Sequence, residues 1–394
     1  MLIFGLTFLT LFLLGYCGAL ILLGKGFSNL QKTLLEESSE FSGQNLPTVS
    51  VIIAARNEER NLPRLLQHLQ QLDYPQEKLE ICIVDDRSSD NSVALLQAAK
   101  ERMPYLKVLH VRDQIKDFAP KKRALDMAIR ATHGEIILLT DADCSPPPTW
   151  IHATLACYKE ESAGVIGYSP YRFDKPMPKF LQKMLSLEFF SVAAVAAASA
   201  GLGTPATAAG CNLSYRRRTY QRAKGFDGIR HWISGDDDLF ILKVAEQKIG
   251  TWSYGLSPEA FVPAAAPSTW RAFWNQRIRY AGKGAHYALP FVMLLVAVYL
   301  FNVLLAVSLP ALLAGFTAFA FASLLAWLVK SIFEWRFLNK VAKIYRNRDL
   351  LKYYLPTALL HPFYIVLFGF MGTFSKFTWR GDEFAITTEE LNHG

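Results

Sequence analysis

The chain opens on an apolar run: residues 2–24 carry no charge over 23 positions, and Lys25 is the first charged side chain. That is enough to cross a hydrocarbon core of about 30 Å. A cleaved signal has a basic start and an apolar stretch of only about 7–15 residues, so the run reads as an uncleaved anchor. Residues 287–329 are again uncharged over 43 positions, the length of two spans, with Ser308-Leu309-Pro310 as the expected break. Residues 355–375 form a fourth run, interrupted only by His361. Residues 180–200 are helical in pattern but short and partly polar, and read as interfacial or packed.

Between these runs the pattern changes to strand and helix in alternation. Residues 48–54, 79–84, 106–111 and 135–140 are short apolar strands; 57–72, 89–102 and 121–131 have helical spacing. This order predicts a parallel sheet covered on both faces. Ligands of such sheets bind beyond the carboxyl ends of the strands. Those ends carry Ala55-Arg56-Asn57-Glu58, Asp85-Asp86 and Asp141-Ala142-Asp143.

The composition agrees with a membrane contribution. Of 394 residues, 51% are hydrophobic and 19% charged, which excludes a disordered chain, a collagen-like repeat and a small disulfide scaffold. Five cysteines without a C-x-x-C pair point to a reducing compartment and no metal-thiolate site. The net charge is +8. Its basic residues cluster beside the apolar runs, so nucleic acid is not the expected partner. Lys25 and Lys32, Arg271 to Lys283, and Lys330 to Lys352, read as a loop, form three basic regions. By the positive-inside rule all three lie on the cytoplasmic side. Counting spans then puts the C-terminal tail outside, unless His361-Pro362 lets the last run turn back.

Three acidic clusters carry the candidate chemistry. Asp141-Ala142-Asp143 leaves a strand and meets Pro146-Pro147-Pro148, which forces a loop. One carboxylate there can hold Mg²⁺ or Mn²⁺, whose other ligands are diphosphate oxygens and water. Asp85-Asp86 places two like charges together, which is costly unless something binds there. Asp236-Asp237-Asp238 opens a helix. The helix dipole favours one or two of these acids, and one is free to act as a general base toward an acceptor hydroxyl. Residues 268–284 (STWRAFWNQRIRYAGKG) form a basic, aromatic helix that suits a lipid surface and a diphosphate alike. There is no G-x-x-x-x-G-K-[ST]. Gly201 to Ala206 matches G-x-G-x-x-A but follows a helix, not a strand, and is set aside.

With these sites in order, the sequence resembles membrane-integrated family 2 glycosyltransferases of the cellulose-synthase-like and ceramide-glucosyltransferase-like kind. SVIIAARNEE resembles the first strand and nucleotide-binding turn, with Ala54, Arg56 and Glu58 toward the nucleotide. IVDDRSSDNS resembles the base-contacting loop, with Asp86. PKKRALDMAI puts Lys121 at the lysine of G-K-x-x-A-L. LLTDADC carries the D-x-D, with Asp141 toward the nucleotide and Asp143 on the metal. GCNLSYRR puts Asn212 on the sugar-site segment. SGDDDL falls at T-E-D-x-D-L, giving Asp236 as catalytic base and Asp237 as the alternative. QRIRY falls at Q-x-x-R-W, giving Gln276 and Arg279. TWRG (378–381) resembles a motif after the last span. Gly235 stands where the family has glutamate, and Tyr280 stands for tryptophan. The second departure weakens a long-polymer reading.

The resemblance implies an α/β, GT-A (Rossmann-like) catalytic domain over residues 26–286. It lies between an N-terminal anchor (1–25) and a C-terminal transmembrane region of about three spans (287–376), with a tail at 377–394. It implies inverting, metal-dependent hexosyl transfer from a nucleotide sugar, expected to be a UDP-sugar. The acceptor is a lipid-linked or membrane-proximal saccharide. The protein would be multi-pass in the cytoplasmic membrane, with its catalytic domain cytoplasmic. The rival readings are a processive polysaccharide synthase and a non-catalytic membrane scaffold or transporter.

Overall fold

A computed structural model describes residues 2–36, 38–41, 45–113, 115, 117–379 and 382–385. The chain divides into two compact units. One holds the described residues up to Lys25, Pro176–Ser191 and the described residues from Pro267 onward; the other holds the described residues of Gly26–Lys175 and Val192–Ala266. Helices α1 (Leu2–Glu36) and α6 (Lys179–Ala200) contribute to both. The helix begun by the expected anchor therefore runs on past residue 25.

The second unit is built on β1 (Val49–Ala55), β2 (Leu79–Asp86), β3 (Leu106–Val111), β4 (Ile136–Leu139), β5 (Ser162–Gly167), β7 (Leu213–Arg216) and β8 (Thr251–Gly255). They form one seven-stranded sheet in the order β3-β2-β1-β4-β7-β5-β8. A short parallel pair, β6 (Tyr171–Arg172) and β9 (Ala264–Ala265), lies outside it. Helices α2 (Leu62–Gln70), α3 (Ser92–Lys100), α4 (Pro120–Ala131), α5 (Trp150–Leu155), α7 (Arg217–Arg222) and α8 (Asp238–Glu246) complete the unit. Val49, Val51, Ile52 and Ile53 are fully buried, so β1 is covered on both faces as its unbroken apolar run requires. Val49, Val51 and Ile53 share a core with Leu62, Leu65 and Leu69 of α2.

β1 pairs in parallel with β2 and β4, and β2 with β3. The expectation of a wholly parallel sheet is corrected at β7, which runs antiparallel to both β4 and β5. A four-residue strand carries no signal of direction in its own residues. β1 leads to β2 and β3 on one side while β4 lies on the other, so the strand order reverses between β1 and β4. That crevice is where an open α/β sheet binds ligands.

The first unit contains α9 (Trp270–Gly282), α10 (Leu289–Ala306), α11 (Ser308–Leu313), α12 (Thr317–Ile344) and α13 (Tyr354–Phe374). A short antiparallel pair follows, β10 (Lys376–Trp379) with β11 (Asp382–Ala385). Among the described residues five helical stretches are long and apolar enough to cross a membrane: Ile3–Glu36, Lys179–Ala200, Leu289–Leu313, Thr317–Ile344 and Arg348–Phe374. By length and composition α6, read as interfacial or packed, is one of the five. Their outward faces are apolar, with Phe4, Leu14, Leu313, Phe321 and Phe374 all more than 60% exposed.

Two details differ from the sequence reading, and one removes an alternative that it left open. The helix is interrupted at Val307, beside the expected Ser308–Pro310, but the turn between the two membrane-length stretches falls at Gly315, whose φ of +83° favours glycine. Pro310 sits in the first turn of α11, where its missing N–H costs nothing. α13 runs unbroken through Pro362, so the chain does not turn back there. Lys330, read as part of a basic loop, lies inside α12 and is fully buried. Its Nζ is 2.8 Å from Oε1 of Glu334, one turn along. Tyr16 of α1 also donates to Glu334. Tyr354 of α13 donates to its other oxygen at 2.9 Å. This buried polar knot ties three helices of the unit together.

Candidate active site

The carboxyl ends of β1 and β2 are locked to each other by side chains. Asn57 and Arg87 both adopt left-handed backbone, at φ +54° and +56°. Asn57 N–H donates to Ser88 Oγ at 2.8 Å, and Ser89 N–H donates to Asn57 Oδ1 at 2.8 Å. Glu58 N–H donates to Ser92 Oγ at 2.8 Å. This exchange makes residues 57–61 a loop, and α2 begins at Leu62 with Pro63 in its first turn. Glu58 is buried and accepts from Asn61 Nδ2 at 2.6 Å. Ala54 and Arg56 are half-buried at the same strand end.

The repulsion expected between Asp85 and Asp86 is offset from within the protein. Asp86 Oδ1 accepts from Arg123 at 2.9 Å and from Arg87 Nε at 3.0 Å. Asp85 faces His110 Nδ1 at 3.7 Å. The sequence reading missed Arg123 and its neighbour Lys122. Lys122 is fully buried and donates to the carbonyls of Trp232 and Ser234, at 2.6 and 2.7 Å, just before Asp236. A signal was present: Lys121-Lys122-Arg123 sits in the first turn of α4, where the helix dipole disfavours cations, so each needs an anionic or carbonyl partner.

Lys121 brings the distant acids together. Its Nζ is 2.9 Å from Asp141 Oδ1 and 2.9 Å from Asp236 Oδ2. Burial disfavours its charge, but Asp141, Asp236 and Asp237 outweigh this and hold its pKa well above the ordinary lysine value. Asp236 is 6% exposed. It follows Gly235, whose φ is +86°. A side chain at 235 would also collide with Leu239, at 2.5 Å. The departure from glutamate therefore coincides with a left-handed turn.

Asp237 has a different environment. It caps α8, accepting from Asp238 N–H at 2.7 Å on one oxygen and from Gly210 N–H at 3.0 Å on the other. Asn212, expected on the sugar site, has its amide engaged in the scaffold. It accepts from Trp150 Nε1 at 3.0 Å and donates to the carbonyls of Tyr168 and Ala260 at 3.0 and 2.9 Å. With both donors and its acceptor bonded and 3% exposure, it braces the segment that presents Gly210 to Asp237.

Asp143 lies just beyond β4 and is half-buried. Among the described residues no three His, Cys, Asp or Glu side chains converge to hold a metal ion. The donor set thus lacks an all-protein cage. It fits a hard cation of the Mg²⁺ or Mn²⁺ type, which is bound through one or two carboxylates plus substrate phosphates and water. Gln276 and Arg279 lie on α9 in the other unit. Thr269 Oγ1 caps that helix by accepting from Ala272 N–H at 3.1 Å, and the Arg279 guanidinium sits 5.2 Å from the Tyr280 ring centre. Thr378 and Trp379 of the TWRG motif fall in β10; Arg380 and Gly381 lie outside the described residues.

Residues 50–222 match the family model described as glycosyl transferase family 2. The chain is 26% identical over 256 residues to "Probable glycosyltransferase YdaM" of Bacillus subtilis, covering 63% of this chain and 58% of that protein. It is 32% identical over 120 residues to the beta-monoglucosyldiacylglycerol synthase of Synechocystis sp., covering 30% of this chain and 25% of that one. The match thus spans little over half the length of the first relative and a quarter of the second. Among solved structures, the mannosyltransferase PcManGT of Pyrobaculum calidifontis, in complex with GDP-Man and Mn²⁺, superposes with a TM-score of 0.54 at 19% identity. That match covers 91% of this chain and 99% of that one. At this identity the likeness establishes the GT-A fold.

Proposed function

We propose that this chain, which carries a glycosyl transferase family 2 domain, moves a sugar from a nucleotide sugar to a lipid-linked or membrane-proximal acceptor with inversion at the anomeric carbon. The observation that carries the reading is the bridge Asp141–Lys121–Asp236, which joins the strand-end acids to the acidic cluster opening α8. Asp236 takes the proton of the acceptor hydroxyl as its oxygen attacks the anomeric carbon opposite the departing diphosphate. Asp236 suits this role better than Asp237, whose oxygens both hold backbone N–H groups. Lys121 supplies a cation beside the donor, and Asp86, Arg56 and Glu58 line the nucleotide end. Asp143 would hold Mg²⁺ or Mn²⁺, which when bound offsets charge on the diphosphate. By the family motif, Gln276 and Arg279 remain candidates for the acceptor and the leaving group.

A lipid acceptor is supported by the five apolar helices and by the name of the Synechocystis relative, a glucosyldiacylglycerol synthase. A UDP-sugar is the expected donor. The test is a panel of UDP- and GDP-sugars with detergent-solubilised protein and membrane lipid extract, read by mass spectrometry. One added sugar per lipid is expected. A ladder of products would favour the processive rival, and no donor turnover at all would support the scaffold. In a calorimetric titration with UDP, Asp143→Ala should abolish the metal dependence of binding. Unchanged Mg²⁺ or Mn²⁺ dependence in that variant would remove Asp143 from the metal.

The catalytic unit faces cytosolic nucleotide sugar in this reading, in the cytoplasmic membrane. An impermeant thiol reagent on intact cells should then label Ala314→Cys, in the turn after α11, and spare Lys100→Cys at the end of α3. Labelling of the second from outside would reverse the orientation.

A further inference from the structure

The turn that carries Asp143 is held by groups from outside the main sheet. Ala265 N–H donates to the Asp143 carbonyl at 3.3 Å, and Ser145 N–H donates to the Pro263 carbonyl at 2.9 Å. Arg172 of β6 adds side-chain contacts to the same turn. One guanidinium nitrogen donates to the Asp143 carbonyl at 3.0 Å, and another donates to Ser145 Oγ at 2.6 Å. Asp174 grips the adjoining edge, accepting from Nε at 2.9 Å and, at 2.9 Å, from the same terminal nitrogen that donates to the Asp143 carbonyl. Arg64 of α2 donates to Asp174 in turn, at 2.6 Å. The Arg172 hydrogen bonds, with those of Arg64, hold the Asp174 carboxyl below the usual range.

An exposed ion pair is worth little by itself, typically about 0–1 kcal/mol. What sets this one apart is its target. The planar fork of an arginine has donors enough to bind a carboxylate on one edge and a backbone carbonyl and hydroxyl on the other. A lysine carries three donors on one nitrogen, too few and too close together to hold both carboxylate oxygens, the carbonyl and the hydroxyl at once. Asp174 fixes the plane, and the plane fixes the peptide of the residue whose carboxylate follows β4. Neither residue belongs to any motif in the sequence, because 29 positions separate Arg172 from Asp143.

We propose that Arg172, squared by Asp174, is a positioning residue that sets the direction of the Asp143 carboxylate toward the metal-bound diphosphate. The inference rests on the metal reading above. It is tested by calorimetric UDP binding to the full-length protein in detergent over a MnCl₂ series. Deuterium uptake is measured in parallel over residues 140–146. Arg172→Met should weaken the Mn²⁺ dependence of UDP binding by roughly 10–100-fold, the usual effect of removing a partner that orients a metal ligand. Binding of UDP without metal should stay unchanged, and uptake over 140–146 should rise. Arg172→Lys should behave like Arg172→Met, since charge alone does not reproduce the fork. Asp174→Asn, a milder change, should shift both readouts the same way by less. Wild-type Mn²⁺ dependence in Arg172→Met or Arg172→Lys overturns the proposal. If the unaltered protein binds UDP without any metal dependence, the metal reading fails on its own. Deuterium uptake then decides the positioning role: a rise in Arg172→Met supports it, and wild-type uptake overturns it.

Discussion

Asp236→Asn should lower sugar transfer by about 10²–10⁴-fold, the usual cost of losing a general base, while leaving UDP binding intact. The amide is nearly isosteric with the carboxylate and keeps an oxygen toward Lys121, which stands at 2.9 Å. It cannot take the acceptor proton. The neighbouring acid provides the control. Asp237 holds two backbone N–H groups, from Gly210 and Asp238, with its two oxygens. Asp237→Asn keeps one of those acceptors. It should cost on the order of 1 kcal/mol of stability, the net worth of one lost hydrogen bond, and retain most of the turnover. The measurement is initial rate with the donor found in the panel, alongside UDP affinity by calorimetry. Full activity in Asp236→Asn with loss in Asp237→Asn would move the base by one residue. Loss of UDP binding in Asp236→Asn would recast that residue as part of the donor site.

Glu334→Ala should destabilise the helical unit by about 3–5 kcal/mol, because it leaves the charge of Lys330 buried without its partner. Lys330 is fully buried and pairs with Glu334 at 2.8 Å. The same carboxylate accepts from Tyr16 and Tyr354, so its removal also strands two hydroxyls on two other helices. Replacing both charges, Glu334→Gln with Lys330→Met, should recover most of the loss, since no buried charge then lacks a partner. Thermal unfolding in detergent, followed by size-exclusion chromatography of the fluorescent-tagged protein, reads both variants. A double variant no more stable than Glu334→Ala would show that the tyrosine hydrogen bonds, not the ion pair, hold the knot.

Much of the fold was legible because burial imposes simple periods. Residues 106–111 were read as a strand and are β3 with the same limits. β1 and β2 differ from their expected limits by one or two residues. The misplacements occur where distant side chains decide local geometry. α2 was expected from residue 57 and starts at 62, because Asn57 bonds to Ser88 and Ser89 and turns left-handed. The charged stretch after residue 329 was read as a loop, since lysine and arginine end an apolar run. In the structure Lys330 stays helical because Glu334 one turn on, and a tyrosine from another helix, make its charge tolerable. The site followed the same division. Acids at strand ends could be marked in advance, but not which of them have oxygens already engaged.

The sequence by itself determined what nearest neighbours along the chain decide. Apolar runs mark the helices able to cross a membrane, β-branched runs mark the strands, and acids at their ends mark the crevice. These depend on periodicity and local charge, which each segment carries within itself. Only the tertiary structure decided that Lys121 joins Asp141 to Asp236, that Asp237 and Asn212 are hydrogen-bonded within the protein, and that Arg172 meets the Asp143 turn. It also decided that β7 runs against its neighbours. Those outcomes depend on which groups meet across separations of 20 to 115 residues, where the free energy of a contact is set by burial and by partners that no local window contains.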